Sequence, residues 1–141
     1  MVCAMPSIFS KIIAGEIPGE FVFKDDLWVA LLDINPVFPG HALLVPRAES
    51  TYLAGLPPAT LAALGDRLAR LTVAVKRVTG CPAVNVVLND GPEAGQAVPH
   101  AHLHVLPRFA GDGKLVFPKG SPYAPGAMAA MGAKLRAAWS G

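Results

Sequence analysis

The sequence predicts an α+β fold, in which a five-stranded antiparallel sheet packs against one long helix and carries short helices near the ends of the chain. Three observations lead to this prediction: five short segments have strand character, turn residues separate most of them, and one long segment has the apolar periodicity of a helix. Hydrophobic residues make up 52% of the chain, which is enough to bury a core, and 14 Gly and 14 Pro supply the turns.

The predicted strands are short apolar runs bounded by turn residues. They are residues 21–23, 27–32, 41–45, 83–88 and 100–106. The polar break Lys24-Asp25-Asp26 separates the first two strands, which predicts a hairpin, and Pro46 ends the third. Most strands follow one another through short links, so we expect an antiparallel sheet with the helices on one face.

Three segments space their apolar residues as an amphipathic helix does. The first covers residues 8–13 and is ended by Gly15, and the second covers residues 59–79 and is followed by Gly80. The apolar stripe of the long helix consists of Leu61, Leu64, Leu68, Leu71, Val75 and Val78. The last helix is predicted from Met128, Met131, Leu135 and Trp139.

The chain is expected to form one domain over residues 1–141, because no internal repeat divides it. The core of this domain is expected at about residues 7–112. Residues 113–141 begin rich in Gly, Pro and Lys, so we expect a variable tail that contains the last helix.

The composition excludes several partners. The net charge is +2 and the charges are interspersed, so the clustered basic face that binds nucleic acid is missing. No apolar run approaches the roughly 20 residues of a membrane helix, and the first residues lack the features of a secretory signal. Cys3 and Cys81 do not suggest a disulfide framework. We therefore expect a cytoplasmic protein without a membrane or nucleic-acid partner.

Three of the four histidines alternate along the fifth predicted strand, in His100-Ala-His-Leu-His-Val-Leu106. Successive side chains of a strand point to opposite faces, so His100, His102 and His104 share one face. The apolar residues between them are expected to pack on the long helix. The histidines are expected to line a polar cleft, because buried ring nitrogens need partners.

A histidine of this strand is a candidate nucleophile, because neutral imidazole can attack phosphorus and form an intermediate that water releases. Such a reaction needs donors for the phosphate oxygens and a proton for the leaving group. The loop at residues 89–98 offers both kinds of group. Gly91 and Gly95 let backbone amides approach a phosphate, and Asn89 and Gln96 add amide side chains.

Two other interpretations of the histidines remain open. A histidine on a strand is often only a polar residue with satisfied hydrogen bonds, although strict alternation of three disfavours this. Alternating histidines also bind zinc through their ring nitrogens. A metal site would need a further ligand, and His41 is the only candidate that the sequence offers.

The histidine segment resembles the signature of the histidine triad (HIT) family, in which apolar residues separate three histidines. The segments that resemble its fragile-histidine-triad branch are Asp90-Gly-Pro-Glu-Ala-Gly-Gln96, His104-Val-Leu-Pro-Arg108 and Ala110-Gly-Asp112. The segments that resemble its Hint-like branch are Ile8-Phe-Ser-Lys-Ile-Ile-Ala-Gly-Glu-Ile-Pro18 and Leu32-Asp-Ile-Asn-Pro36, and Pro39-Gly-His41 resembles both.

The resemblance implies the HIT fold, a homodimer, and hydrolysis or transfer at the α-phosphate of a purine nucleotide without a cofactor. By position, His102 would be the nucleophile, and His100 would orient it, partly through its backbone carbonyl. His104 would contact phosphate and assist proton movement, and His41 would support the triad from behind. Asp33 would hold the ribose hydroxyls.

The remaining nucleotide-binding positions also come from the resemblance. Those near the phosphate or leaving group are Asn89, Gly95, Gln96 and Ala97. Those that would wall the base pocket are Ile8, Phe9, Ile12 and Ile34, although apolar residues there are equally expected of an ordinary core.

Two departures from the family pattern affect these expectations. Many bacterial relatives carry a zinc site of two cysteines, a loop histidine and the first triad histidine. Here the first three positions read Ser7, Ser10 and Glu49, and only His100 remains, so we expect no metal. Cys3 is too isolated to restore that site. Ala97 stands where relatives usually have Ser or Thr, which removes a hydrogen bond worth about 1 kcal/mol.

The sequence is therefore consistent with three functions. The first is a nucleotide phosphoramidase or dinucleoside polyphosphate hydrolase, and the two branch resemblances favour different leaving groups. The second is a dimeric module that binds AMP with little turnover, and the third is a metal protein. Leu64 and Leu71 of the long helix are candidates for a dimer interface or, equally, for the core.

Overall fold

The computed structural model describes residues 5–139. Five strands form one sheet in which all neighbours are antiparallel, in the order β1-β2-β3-β5-β4. The strands are β1 (Phe21–Lys24), β2 (Trp28–Leu32), β3 (Ala42–Pro46), β4 (Ala83–Leu88) and β5 (Leu103–Arg108). The predicted five-stranded antiparallel sheet and the β1–β2 hairpin are confirmed. Asp25 closes the hairpin, because its carboxylate accepts the backbone N–H groups of Leu27 and Trp28 at 2.8 Å.

The three predicted helices are present as α1 (Ile8–Ile13), α2 (Pro58–Thr79) and α3 (Ala127–Trp139). The Ser7 hydroxyl oxygen caps α1 by accepting the backbone N–H of Ser10. Gly80 ends α2 in the left-handed conformation, with φ of 73°, which glycine adopts without strain. Among the helices of residues 5–139, none is long and apolar enough to cross a bilayer.

The two faces of the sheet bury separate apolar clusters. On one face, Trp28 and Leu44 pack against Leu71 of α2, and the indole N–H of Trp28 donates to the backbone oxygen of Thr60 at 2.9 Å. On the other face, Phe9 of α1 packs against Val29, Leu31, Leu43 and Val45. The expectation that all helices share one face is wrong, because α1 has its own apolar partners on the face opposite α2.

The apolar stripe of α2 points into the core along most of its length. Leu71 and Val75 are buried, and Leu61, Leu64 and Leu68 pack against the same cluster. Both dimer-interface candidates of this helix, Leu64 and Leu71, are therefore part of the core of one chain. Val78 departs from the prediction, because it is 87% exposed near the end of the helix.

The fifth strand begins three residues later than predicted. The N–H of His100 bonds to Val98 O at 2.8 Å, and that of Ala101 bonds to Ser50 O at 2.7 Å, so these residues pair with loops before the ladder begins. The strand also continues through Pro107. Beyond Val105 it pairs with β4 alone, so the missing N–H of Pro107 is tolerated on the unpaired side.

The end of the described chain is exposed. Met128, Met131, Leu135 and Trp139 form the predicted apolar stripe of α3, but they are 44% to 93% exposed. Cys81 is buried as a free thiol, and Cys3 lies outside the described residues.

Candidate active site

A pocket of about 440 Å³ opens on the face of the sheet that carries α1. The predicted site residues that line it are Ile8, Phe9, Ile12, Asp33, Ile34, Asn89, Gly95, Ala97, His102 and His104. Five further lining residues were missed: Leu31, Leu32, Asn35, Leu43 and Val98. Leu31 and Leu43 face the pocket from β2 and β3. In the sequence they belong to apolar runs, which predict buried strands but do not indicate a pocket. His41, His100 and Gln96 do not line the pocket.

His102 presents one ring nitrogen to this pocket. Its Nδ1 lies 2.7 Å from the backbone oxygen of His100, and a carbonyl oxygen only accepts hydrogen bonds, so Nδ1 carries the proton. On a neutral ring, Nε2 is then an unprotonated nitrogen. The ring of Phe9 packs edge-on against His102, with centroids 4.8 Å apart, and thereby restricts its orientation.

His104 presents the opposite chemical character. The backbone N–H of Val37 donates to Nδ1 of His41 at 3.1 Å, so a neutral His41 carries its proton on Nε2. This Nε2 lies 2.9 Å from Nδ1 of His104 and donates to it. A neutral His104 therefore carries its own proton on Nε2. The ring centroids of His102 and His104 are 5.0 Å apart, so a ring with an unprotonated Nε2 lies next to a ring with an N–H donor.

Burial keeps the imidazoles of His41 and His104 neutral. It lowers the pKa of His104 to about 4, with smaller contributions from the neighbouring histidines, because a charged ring loses its hydration there. Burial also lowers the pKa of His41, and Asp33 only partly opposes this effect. At neutral pH the hydrogen bonds among these rings therefore run between uncharged groups.

His100 does not lie in the polar cleft that the sequence predicts for all three histidines. Its ring is fully buried, and both ring nitrogens have partners: Nε2 lies 2.8 Å from Pro46 O, and Nδ1 lies 2.6 Å from the Ser7 hydroxyl oxygen. Burial lowers the pKa of His100 as well. Because its nitrogens are engaged away from the pocket, the three triad imidazoles do not converge on one point where they could hold a metal.

Asp33 lies at the pocket wall with one carboxylate oxygen engaged locally. Its Oδ1 accepts the backbone N–H of Asn35 at 2.8 Å, and its Oδ2 lies 3.6 Å from Nε2 of His41. Asp33, His41 and His104 bring one possible ligand atom each within 4.8 Å of one another. This is the one such group that the described residues form. His41 uses both of its ring nitrogens in hydrogen bonds, so a metal would have to displace an existing contact.

The loop between β4 and the histidines shapes the other end of the pocket. Gly95 has a φ of 94°, and a side chain there would be strained, so the glycine leaves the backbone open beside Asn89. Gln96 turns away, because its Nε2 donates to Thr51 O at 2.7 Å. The predicted contact of Gln96 with phosphate therefore does not follow from this arrangement. Ala97 lines the pocket with a methyl group only.

The positions that correspond to the zinc ligands of relatives do come together. Ser7, Ser10, Glu49 and His100 form one hydrogen-bonded cluster, in which the carboxylate of Glu49 accepts the backbone N–H of Ser7 and, at 3.1 Å, the hydroxyl of Ser10. These bonds, first that from the Ser7 backbone, hold the pKa of Glu49 below its ordinary value. The cluster offers two hydroxyls, one carboxylate and one imidazole, and no thiolate, which is a poor donor set for zinc.

The chain is similar in sequence to a known protein family and to characterised relatives. The family model described as the HIT domain matches residues 14–111. The chain is 36% identical over 101 residues to adenylylsulfatase HINT3 of Arabidopsis thaliana, covering 72% of this chain and 51% of that protein. It is 32% identical over 104 residues to the asymmetrical bis(5′-nucleosyl)-tetraphosphatase of Schizosaccharomyces pombe, covering 74% and 56%. The chain thus spans about half the length of these two relatives.

A solved structure matches more of the chain. The crystal structure of a HIT family protein from Bacillus anthracis superimposes with a TM-score of 0.87 at 27% identity, covering 96% of this chain and 99% of that one. The match therefore covers nearly all of this chain. It agrees with the antiparallel sheet and the helices described above.

Proposed function

Because this chain belongs to the histidine triad (HIT) family, we propose that it is a nucleotide hydrolase or transferase that cleaves at the α-phosphate, with Nε2 of His102 as the nucleophile. The observation that carries the proposal is the 2.7 Å contact between Nδ1 of His102 and the His100 carbonyl, which leaves Nε2 unprotonated on a ring that lines the pocket. The activities for which the two relatives are named, adenylylsulfatase and tetraphosphatase, support this class of reaction.

In the first step, Nε2 of His102 attacks the α-phosphorus, and a nitrogen–phosphorus bond forms. The bond from phosphorus to the leaving group breaks, and its electron pair departs with that group. A phosphate or nucleotide leaving group departs as an anion and needs no proton. An amine needs one. A bound phosphate anion beside the ring raises the pKa of His104 from its value in the free protein, so the ring takes up a second proton from solvent and gives its Nε2 proton to the amine, which leaves it neutral.

In the second step, water attacks the phosphorus of the nucleotidyl-histidine. The nitrogen–phosphorus bond breaks, and its electron pair returns to Nε2. The water loses its proton to His104 where that ring gave one to an amine in the first step, and to solvent otherwise. The products are AMP and the original histidine. While it carries its Nε2 proton, His104 also stabilises negative charge on the phosphate oxygens, because this N–H faces the pocket from a low-dielectric wall.

The nucleoside fits the remaining walls of the pocket. Ile34 is 87% exposed and Ile8 is 47% exposed, so these apolar side chains leave a surface that a flat purine base would cover. Phe9 and Ile12 close the wall from α1. Asp33, Asn89 and Gly95 line the same pocket. In this proposal Asp33 holds the ribose hydroxyls, and Asn89 and Gly95 contact the phosphate. No cofactor takes part in the proposed steps.

The second candidate function is a nucleotide-binding module that holds AMP with little turnover. The observation that favours it is Ala97, since a methyl group lines the pocket where relatives usually place a hydroxyl. Loss of one hydrogen bond that tightens in the transition state slows the reaction without weakening the ground-state complex. The nucleophile itself is intact, so we prefer the enzyme.

The protein is proposed to act as a homodimer in the cytoplasm. β4 is an edge strand that pairs only with β5, and Val86 at its centre is 42% exposed. An apolar edge strand is normally covered in proteins, and a second copy of the sheet is one way to cover it. The buried free thiol of Cys81 suits a reducing compartment. Light scattering after size exclusion tests the dimer, and a monomeric mass at micromolar concentration contradicts it.

The experiment that tests the function measures hydrolysis of adenosine 5′-phosphoramidate and of diadenosine tetraphosphate with chelator present, by the wild type and by His102→Ala. Turnover that the substitution abolishes, with an AMP–protein adduct trapped by alkaline denaturation in the wild type alone, supports the proposal. The relative rates identify the leaving group. Unchanged melting temperature shows that the variant is folded. Tight AMP binding without turnover by the wild type favours the binding module.

A further inference from the structure

The amino-terminal cap of α1 reaches the buried triad histidine. The Ser7 hydroxyl oxygen lies 2.6 Å from Nδ1 of His100, and Glu49, in the loop after β3, accepts the backbone N–H of Ser7. Oε1 of Glu49 is also 3.7 Å from Nδ1 of His100. Three separate parts of the chain are therefore joined around one imidazole, on the side away from the pocket.

The direction of each hydrogen bond in this group follows from its partners. Nε2 of His100 faces the carbonyl of Pro46 and must donate, so Nδ1 of the neutral ring accepts. The Ser7 hydroxyl is then the donor to Nδ1, while its oxygen accepts the backbone N–H of Ser10 at 3.1 Å. Ser10 in turn donates its hydroxyl to Glu49. Only the Nε2–H tautomer of His100 satisfies the whole group.

The group is linked to the nucleophile through the backbone of His100. The carbonyl of this residue accepts the Nδ1 proton of His102, so the position of His100 decides where Nε2 of His102 points. Phe9, two residues after Ser7, adds a second link, because its ring lies against both His100 and His102. A shift of His100 that moves both its backbone and its ring would therefore displace the carbonyl that orients His102 and the Phe9 ring together.

We propose that Ser7 and Glu49 are a positioning pair, which holds His100 in its Nε2–H tautomer and thereby directs Nε2 of His102 into the pocket. The pair touches neither phosphate nor base, so it acts on the chemical step rather than on binding. Its effect on turnover rests on the proposed function, but its effect on the ring nitrogens does not.

The test observes the imidazole nitrogens of the full-length ¹⁵N-labelled protein by long-range ¹H–¹⁵N NMR, and measures kcat and KM on the same samples. In the wild type we expect the Nε2–H form of His100 and the Nδ1–H form of His102. Ser7→Ala removes the donor to Nδ1 of His100. The signal of this nitrogen should therefore move to the position of a free acceptor, and His102 should no longer show a single tautomer. We expect kcat to fall about tenfold, as misplaced reacting groups do, with KM within about twofold.

Conservative variants separate positioning from general loss of structure. Ser7→Thr keeps the hydroxyl, and Glu49→Gln keeps an oxygen that accepts the Ser7 N–H, so both should retain the wild-type tautomers. Glu49→Ala should shift the same signals as Ser7→Ala. If Ser7→Ala does not fold, the nitrogen signals of Glu49→Ala decide whether the positioning pair exists. Ser50→Ala is the matched control, because its hydroxyl bonds to Tyr52 O in the same loop and its deletion does not touch His100.

Unchanged nitrogen signals of His100 and His102 in Ser7→Ala and Glu49→Ala overturn the positioning pair. A rise in KM with unchanged kcat overturns it as well. If the wild type shows no turnover at all, the proposed function fails, and the tautomers alone still decide whether the pair exists.

Discussion

The ring of His41 donates a hydrogen bond to the ring of His104, with 2.9 Å between Nε2 of the first and Nδ1 of the second. Only His104 of the two lines the pocket. His41 therefore decides which nitrogen of His104 carries a proton towards a bound phosphate, although it does not reach the substrate itself.

Replacing His41 with leucine should change the behaviour of His104. Nδ1 of His104 loses its hydrogen-bond donor, and at low pH the ring also loses a neighbouring positive charge. Both changes should raise the pKa of His104, which an NMR titration of the ring measures. We expect kcat to fall about tenfold, a part of the roughly 10²- to 10⁴-fold that positioned proton transfer contributes. A variant with wild-type kcat and an unchanged titration of His104 contradicts this role.

Stability should fall as the pH falls from about 7 towards 4. The pKa of His104 is about 4 in the folded protein against 6.5 for the free side chain, so the unfolded chain binds more protons between these values. The shifts of His41 and His100 have the same sign. Urea unfolding at pH 7 and pH 5 measures the difference. His104→Gln should reduce this pH dependence, and an equal slope in both proteins argues against the assignment.

Adding a hydroxyl at position 97 should accelerate hydrolysis. Ala97→Thr restores a donor beside the phosphate, and one hydrogen bond of about 1 kcal/mol corresponds to about a fivefold higher kcat. Ala97→Val has nearly the same shape without the hydroxyl and is the matched control. Equal rates of the two variants would show that the hydroxyl takes no part in the reaction.

Removing the exposed apolar wall at Ile34 should weaken nucleotide binding without loss of stability. Ile34 is 87% exposed, so Ile34→Ser removes little buried area in the free protein, whereas a bound base would cover it. We expect AMP to bind about fivefold more weakly in calorimetry, as expected for about 1 kcal/mol of lost contact. Val78→Ser, at the equally exposed residue on α2, should leave the affinity unchanged. Equal affinity of the Ile34 variant removes this residue from the base pocket.

Chelation should leave the activity unchanged. Both ring nitrogens of His41 are engaged by Val37 and His104, so the group formed with Asp33 has no nitrogen of His41 free for a metal. Turnover is measured after dialysis against EDTA, together with the zinc content of the protein. Activity that is lost with EDTA and restored by zinc would favour the metal protein instead.

Periodicity predicted most of the fold, because each element repeats one local pattern. The short apolar runs of β2 and β3 and the apolar stripe of α2 follow from rules that act within a few residues. The placement of α1 did not follow, since its apolar residues fit either face. Only the packing of Phe9 against Val29 and Val45 decides that it lies opposite α2.

The candidate site likewise has a part that local sequence patterns predict and a part that they do not. Alternation of the histidines correctly placed His102 and His104 on one face, but it could not show that His100 is buried behind them. That depends on Ser7 and Pro46, which are distant in the sequence and close in space. Gln96 illustrates the limit for loops, because its side chain is turned away by a single bond to Thr51 O that no local pattern encodes.

The two tryptophans occupy opposite environments, and this makes them separate optical reporters. Trp28 is inaccessible to solvent at the centre of the core, whereas Trp139 is 93% exposed at the end of α3. Blue-shifted emission that iodide cannot quench therefore comes from Trp28, and red-shifted, quenchable emission comes from Trp139. One spectrum thus distinguishes melting of the sheet from association of the carboxyl-terminal helix with another surface.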